Sequence, residues 1–239
     1  MNAVIERIRA SGYVEDAEGK TYPAKASAVS FEAGALLYDF IRAAKPARTL
    51  EIGMAYGIST LFICQAHRDN GSGTHTAIDP FEETVFKSIG LLNLERAKLR
   101  DLVQFHPAPS DEVLPQLCTR NERYEFAFID GNHRFDYVLV DFFYVDKLLE
   151  VGGHVAFDDI WMSGVRKAAS FVTTNKPYRL VRAPATARTP TSTRMLRLGR
   201  RILQNPFGRD WALKLVPQNV AIFEKTAKDS RVWDFHRTF

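Results

Sequence analysis

The chain alternates short apolar runs with longer stretches of helical spacing. Runs at Arg48–Ile52, Thr74–Asp79, Leu102–His106, Glu125–Asp130, His154–Asp158, Tyr178–Val181 and Asn219–Glu224 predict seven strands. Two of them, Phe126-Ala127-Phe128-Ile129-Asp130 and His154-Val155-Ala156-Phe157-Asp158, show no polar alternation, so they predict strands buried on both faces. Between the strands, Phe31, Ala35, Leu36, Phe40 and Ile41 predict a helix to about Ala44, with Ser30 as its N-cap. Further helices are expected at Ile58 to His67, Glu83 to Leu99, Asp111 to Leu117, Phe135 to Glu150 and Trp161 to Thr174. Val151-Gly152-Gly153 reads as the glycine end of the helix from Phe135 to Glu150. Strands separated by helices require right-handed crossovers and a parallel sheet. The expected fold is therefore α/β: a Rossmann-like, doubly wound, mostly parallel seven-stranded sheet, its last strand pair antiparallel, with helices on both faces. Residues 1–45 read as a helical cap, and 46–239 as the main domain with a basic insertion at about 183–216.

Charge changes this picture in one place. The net charge is +4, but nine basic residues from Arg179 to Lys214 face the single acid Asp210. That segment carries +8 and leaves the remainder at −4, an asymmetry that speaks about partners and not about fold. Arg194, Arg197 and Arg201 form one stripe, and Met195, Leu198 and Ile202 another, as in an amphipathic basic helix. A lid over the crevice, a homo-oligomer contact, a peripheral membrane contact and a nucleic-acid contact compete for it; an arginine face without interleaved aromatics disfavours nucleic acid. No apolar stretch reaches the length of a bilayer span, and Met1 to Arg7 lack a secretory leader, so a cytoplasmic location is expected. Cys64 and Cys118 read as buried thiols. The aromatic tail from Val232 to Phe239 is expected to dock on the body.

Candidate chemistry gathers where strands end, because in an open parallel sheet the ligand crevice lies beyond their carboxyl ends. The first strand runs into Glu51-Ile52-Gly53-Met54-Ala55-Tyr56-Gly57-Ile58-Ser59. Gly53 allows a sharp turn off the strand and Gly57 a close approach of the helix start to a ligand. A dinucleotide fingerprint needs a middle glycine, where this chain has Ala55. An acid before the turn suits a ligand bearing an ammonium group, and Asp79, at the end of the next strand, suits the two hydroxyls of a ribose.

Through Glu51 to Gly57 and Ala77-Ile78-Asp79-Pro80 the chain resembles the class I S-adenosylmethionine-dependent methyltransferases over about residues 30–180 and the last strand. That resemblance implies cofactor contacts from Glu51, Gly53, Tyr56, Gly57, Ser59, Asp79 and Asp130, with Ser110 at the adenine end. Ile129-Asp130-Gly131-Asn132-His133 through Gly152-Gly153 to Asp158-Asp159 resembles, more narrowly, the macrocin-type and related sugar O-methyltransferases. It implies Mg²⁺ held by Asp130, Asp158 and Asp159, and His133 at the place of a catalytic base beside Asp130.

The residue types suit that chemistry. A hard divalent cation takes oxygen ligands and keeps sites for substrate hydroxyls, and a neutral imidazole can remove a hydroxyl proton. The structural alternative is that Asp158 and Asp159 cap the next helix. Asp136 and Asp141 read as solvated or capping, and His106, His154 and Trp161 as structural or pocket-lining. The function expected is methylation of a hydroxyl on a small molecule, sugar or glycoconjugate. An NAD(P)-dependent oxidoreductase, or a non-enzymatic module using the basic segment, are the rivals.

Overall fold

A computed structural model describes residues 2–26, 29–181, 213, 216, 219–235 and 237–239. The basic insertion and its arginine stripe lie almost wholly outside the described residues.

Helix α1 (Ala3–Ser11) leads into a hairpin of β1 (Tyr13–Glu15) and β2 (Thr21–Pro23), then α2 (Phe31–Ala44). The main sheet follows: β3 (Arg48–Ile52), α3 (Ile58–Asn70), β4 (Thr74–Ile78), α4 (Ile89–Arg96), β5 (Val103–His106), α5 (Ser110–Thr119) and β6 (Tyr124–Ile129). It closes with α6 (Phe135–Leu148), β7 (Leu149–Phe157), α7 (Ser163–Asn175), β8 (Tyr178–Val181) and β9 (Ala221–Lys225). The strand order is β5-β4-β3-β6-β7-β9-β8. β5 through β7 are mutually parallel, and β9 runs antiparallel to both its neighbours, as expected.

Each face of the sheet has its own core. Phe126, Phe128, Ala77 and Ile222 pack under α1, α2 and α3, while Leu50, Ala127, Ile129, Phe157 and Phe223 pack under α5, α6 and α7. Alternate residues of one strand serve opposite faces, which is why these strands read as unbroken apolar runs. Within the first of these cores α2 and α3 meet closely at Gly34, where a Cβ would run into the Phe62 ring.

Three expectations about elements change. The helix from Glu83 is only eight residues long, Ile89–Arg96; before it, the amides of Thr84, Val85 and Phe86 all bond back to the Phe81 carbonyl in tight turns. Val151-Gly152-Gly153 lies inside β7, which starts at Leu149; Gly152 takes φ +87 where the register against β6 shifts, so the glycines accommodate an irregular strand and not a helix end. The first 45 residues hold a hairpin as well as helices. Asp16 organises it by accepting from the Glu18 and Lys20 amides and from the Tyr22 hydroxyl, and Arg96 of α4 ties it down through the Glu15 and Asp16 carbonyls.

The tail docks only in part. Phe239 packs edge-on against Phe171 of α7, and Asn175 bonds both the amide and the carbonyl of Arg237, but Trp233 is 96% exposed. Cys64 is buried and Cys118 partly so; both are free thiols, and burial raises the pKa of each. No described helix is long and apolar enough to cross a membrane.

Candidate active site

A cleft of about 1080 Å³ opens at the carboxyl ends of β3, β4, β6 and β7. Its walls include Gly53, Ser59, Asp79, Ser110, Asp130, His133, Asp158 and Asp159, which brings eight of the expected site residues to one cavity. Lys25, Val29 and Ser30 complete one wall from the N-terminal segment, a contribution that no motif announced.

The strand-end residues are fixed by backbone pairing one step beyond the regular ladder. The Gly53 amide donates to the Ile78 carbonyl (2.9 Å) and Asp79 to His106 (3.2 Å). Asp130 donates to Ile52 (2.9 Å), and Asp158 to Ile129 (3.2 Å). Each of the four thus leans on the last residue of a neighbouring strand.

The glycine turn is tight against this row. Gly53 has φ +89, and a Cβ there would overlap the Asp130 carbonyl. Gly57, at φ +73, is the N-cap of α3 and lies against the Cα of Gly90. The first turn of α3 brings Ile58 and Ser59 to the cleft wall, and the amides of a helix's first turn lack intrahelical partners, an environment suited to a carboxylate. Asp79 holds the turn from outside, its Oδ2 accepting from Met54 (2.9 Å) and Ala55 (2.8 Å) and its Oδ1 from Phe81 (2.8 Å). Ala55 itself sits at φ +46, a strained conformation for alanine, which that clasp helps to maintain.

Glu51, Tyr56 and Gly57 are not in the wall. Glu51 is fully buried beneath the turn, its Oε2 accepting from Thr60 (2.5 Å) and His75 (3.0 Å). Tyr56 packs its ring on Phe86 and offers its carbonyl to Asn93.

At the other end of the cleft, His133 Nε2 lies 3.3 Å from Asp130 Oδ1 and 3.4 Å from Asp159 Oδ2. One ligand atom from each of Asp130, His133 and Asp159 falls within 4.8 Å of the others. Asp158 lies deeper and is buried. Burial pushes the Asp130 carboxyl up to about 6, against the opposing pull of His133. Burial, then the charge of Asp130, pushes Asp158 up to about 8. The hydrogen bond to Asp130 leads the causes that raise His133. Closely spaced acids that resist joint ionisation are a place for a cation.

Neither Asp158 nor Asp159 caps α7, whose N-cap is Met162 with no side-chain bond. Asp159 instead takes φ +50 and accepts from the Trp161 indole at 2.7 Å. Trp161 is half exposed at this point.

The two acids of α6 expected to be solvated or capping part company. Asp136 is exposed as expected, but Asp141 is buried on the inner side of α6 and accepts from Ser110 Oγ at 2.6 Å; burial raises its pKa to about 6. Its spacing from Val138, Phe142 and Val145 was the available signal.

A parallel sheet with an antiparallel strand inserted before its edge, a glycine turn after the central strand and acids on the adjoining strand ends together define the class I S-adenosylmethionine-dependent methyltransferase fold. Residues 50–160, a span from β3 to the loop after β7, match the family model described as a methyltransferase domain. Two plant relatives are caffeoyl-CoA O-methyltransferases. The one from Stellaria longipes is 28% identical over 151 residues, covering 61% of this chain and 59% of its own, and the one from Populus kitakamiensis is 26% identical over 162 residues, covering 64% of each. The chain thus spans about three fifths of their length. Among solved structures, the O-methyltransferase from Bacillus cereus in complex with SAH superposes with a TM-score of 0.59 at 20% identity, covering 76% of this chain and 83% of that one.

Proposed function

We propose that the chain is an S-adenosylmethionine-dependent O-methyltransferase that acts on a small-molecule hydroxyl with a divalent cation at its acidic edge. The observation that carries this reading is the single cleft with Gly53, Ser59 and Asp79 at one end and the Asp130, His133 and Asp159 group at the other.

The residues fit both groups. A side chain at Gly53 would fill the cradle, the α3 amides suit a carboxylate, and Glu51 Oε1 is a buried oxygen without a donor. S-adenosylmethionine supplies an electrophilic methyl on a sulfonium. The acids at the far end form a hard-oxygen set suited to Mg²⁺, and Asp130, Asp159 and the buried Asp158 are the residues that would hold it. A cation there lowers the pKa of a coordinated hydroxyl.

His133 would receive the acceptor's proton at Nε2 as the oxygen attacks the methyl carbon. It does so in its neutral form, and the carboxylate charge that raises its pKa is the charge a cation would screen. Met162 and Tyr137 line the cleft beside this group and would help to exclude water from the acceptor.

The geometry also bears on the oxidoreductase rival. A dinucleotide pyrophosphate needs the amides of the glycine turn, and those of Met54 and Ala55 are taken by the Asp79 carboxylate. The relatives named for caffeoyl-CoA and the macrocin-type motif suggest different acceptors; a hydroxyl is common to both. Calorimetry with S-adenosylhomocysteine and NADH, followed by a hydroxyl-acceptor panel with and without EDTA, tests the reading. Binding of S-adenosylhomocysteine is expected; binding of NADH alone overturns it.

A further inference from the structure

Helix α6 packs between α5 and α7, with Val138, Asp141, Phe142, Val145 and Leu148 on its buried side. The opposite side should then be polar along its whole length, and only its ends are. Asp136, Val140, Phe143 and Lys147 stand at i, i+4, i+7 and i+11, so they share one outward line, and all four are exposed. Val140 keeps 41% of its surface open and Phe143 49%, with Leu139 and Tyr144 half-buried beside them. The helix dipole accounts for an acid in the first turn and a base in the last, but not for the apolar crest between them.

The line is symmetric about its own centre. Asp136 and Lys147 lie equally far from the midpoint between Asp141 and Phe142, and so do Val140 and Phe143, and Leu139 and Tyr144. A second copy of α6 turned end over end about that midpoint sets Val140 against the partner's Phe143 and Leu139 against the partner's Tyr144. The same turn sets Asp136 against the partner's Lys147 at both ends. Each of these charges lies only about 8 Å along the helix from the midpoint, within reach of its opposite across helices packed about 8–10 Å apart. In the single chain Lys147 Nζ lies 4.2 Å from the centre of the Phe143 ring, so its stem covers the crest while its ammonium group stays free to turn to a carboxylate beyond it.

We propose that this line is the contact of a two-fold homodimer in which two α6 helices pack antiparallel, with Val140 and Phe143 at the centre and an Asp136–Lys147 pair at each end. Such a contact is isologous and closes on itself. Its apolar centre supplies affinity, and its ion pairs fix the direction of packing. None of it depends on which ligand the cleft takes.

Sedimentation velocity on the full chain tests it. The wild-type chain should sediment as a dimer at micromolar concentration. Phe143→Ser, a change at an exposed position, should shift it to monomer with little change in melting temperature. Asp136→Lys sets lysine against lysine at both ends, and Lys147→Asp sets aspartate against aspartate; each should weaken self-association at least about tenfold. Mixed together, the two variants bring lysines of one copy against aspartates of the other and should recover the dimer. A wild-type chain that stays monomeric at the highest soluble concentration overturns the proposal. So does a dimer indifferent to Phe143→Ser and to both charge reversals, or a loss of association that mixing does not recover.

Discussion

His133 Nε2 stands 3.3 Å from Asp130 Oδ1, across the Gly131-Asn132 turn that leaves β6. The contact aims the imidazole along the cleft and keeps it beside the carboxylates. His133→Ala should therefore lower turnover by roughly 10²–10⁴, the usual weight of a positioned general base, with S-adenosylhomocysteine affinity unchanged. Steady-state rates alongside calorimetry check this. A matching loss of affinity would move His133 to the donor end of the site.

The acids beside it should make stability depend on a cation. Asp130 and Asp158 have folded pKa values raised to about 6 and about 8, so the native state keeps protons that the unfolded chain has released. Stability then falls as pH rises from about 4 through those values, and a cation that binds only the ionised native site restores it. Mg²⁺ or Mn²⁺ should raise the melting temperature more at pH 8 than at pH 5, and Asp130→Asn should abolish the difference. Differential scanning fluorimetry across that range would show it.

His67 works in the opposite direction. Burial, then the neighbouring His75, holds its pKa down to about 4, whereas in the unfolded chain it titrates near 6.5. Its contribution is fully present above about pH 6.5 and is lost as pH falls towards 4, by up to about 1.4 kcal/mol per pH unit. His67→Gln retains a donor for Thr49, whose Oγ1 lies 2.8 Å from His67 Nε2, and cannot be protonated. Urea unfolding between pH 4 and 7 should show a shallower acid limb in that variant.

Gly53→Ala should be among the most damaging single changes. It adds a methyl at φ +89 and drives it into the Asp130 carbonyl, so strain and overlap combine. A loss of at least about 2 kcal/mol is expected, together with loss of S-adenosylhomocysteine binding. Gly152→Ala makes a useful control: its φ is +87, but its Cβ would meet open space, so any cost there is conformational alone.

The central strands were legible because they are buried on both faces and run into a charge or a turn residue. The cleft was legible for the same reason: Asp79, Asp130 and Asp158 mark the ends of apolar runs, and position in a parallel sheet does the rest. What was not legible depends on contacts between distant segments. Arg96 anchors a hairpin some eighty residues earlier, and nothing near Tyr13 signals it. Glu51 looked like a ligand-facing acid because it precedes the turn. The strand's alternation puts Ile52 on the α5 and α6 side and Glu51 on the α3 side, beneath the turn and next to Thr60 and His75. Asp141 was read by its charge, when its place on the buried stripe of α6 decided its fate.

The row of amides from Gly53, Asp79, Asp130 and Asp158, each bonded to a neighbouring strand's final carbonyl, has a consequence for how the site comes apart. These four positions cannot fray one at a time, since each protects its neighbour's bond partner. Their amide protons should exchange with deuterium as one cooperative group, at the pace of the central strands and far more slowly than the exposed turns from Phe81 to Ser88 on the same rim.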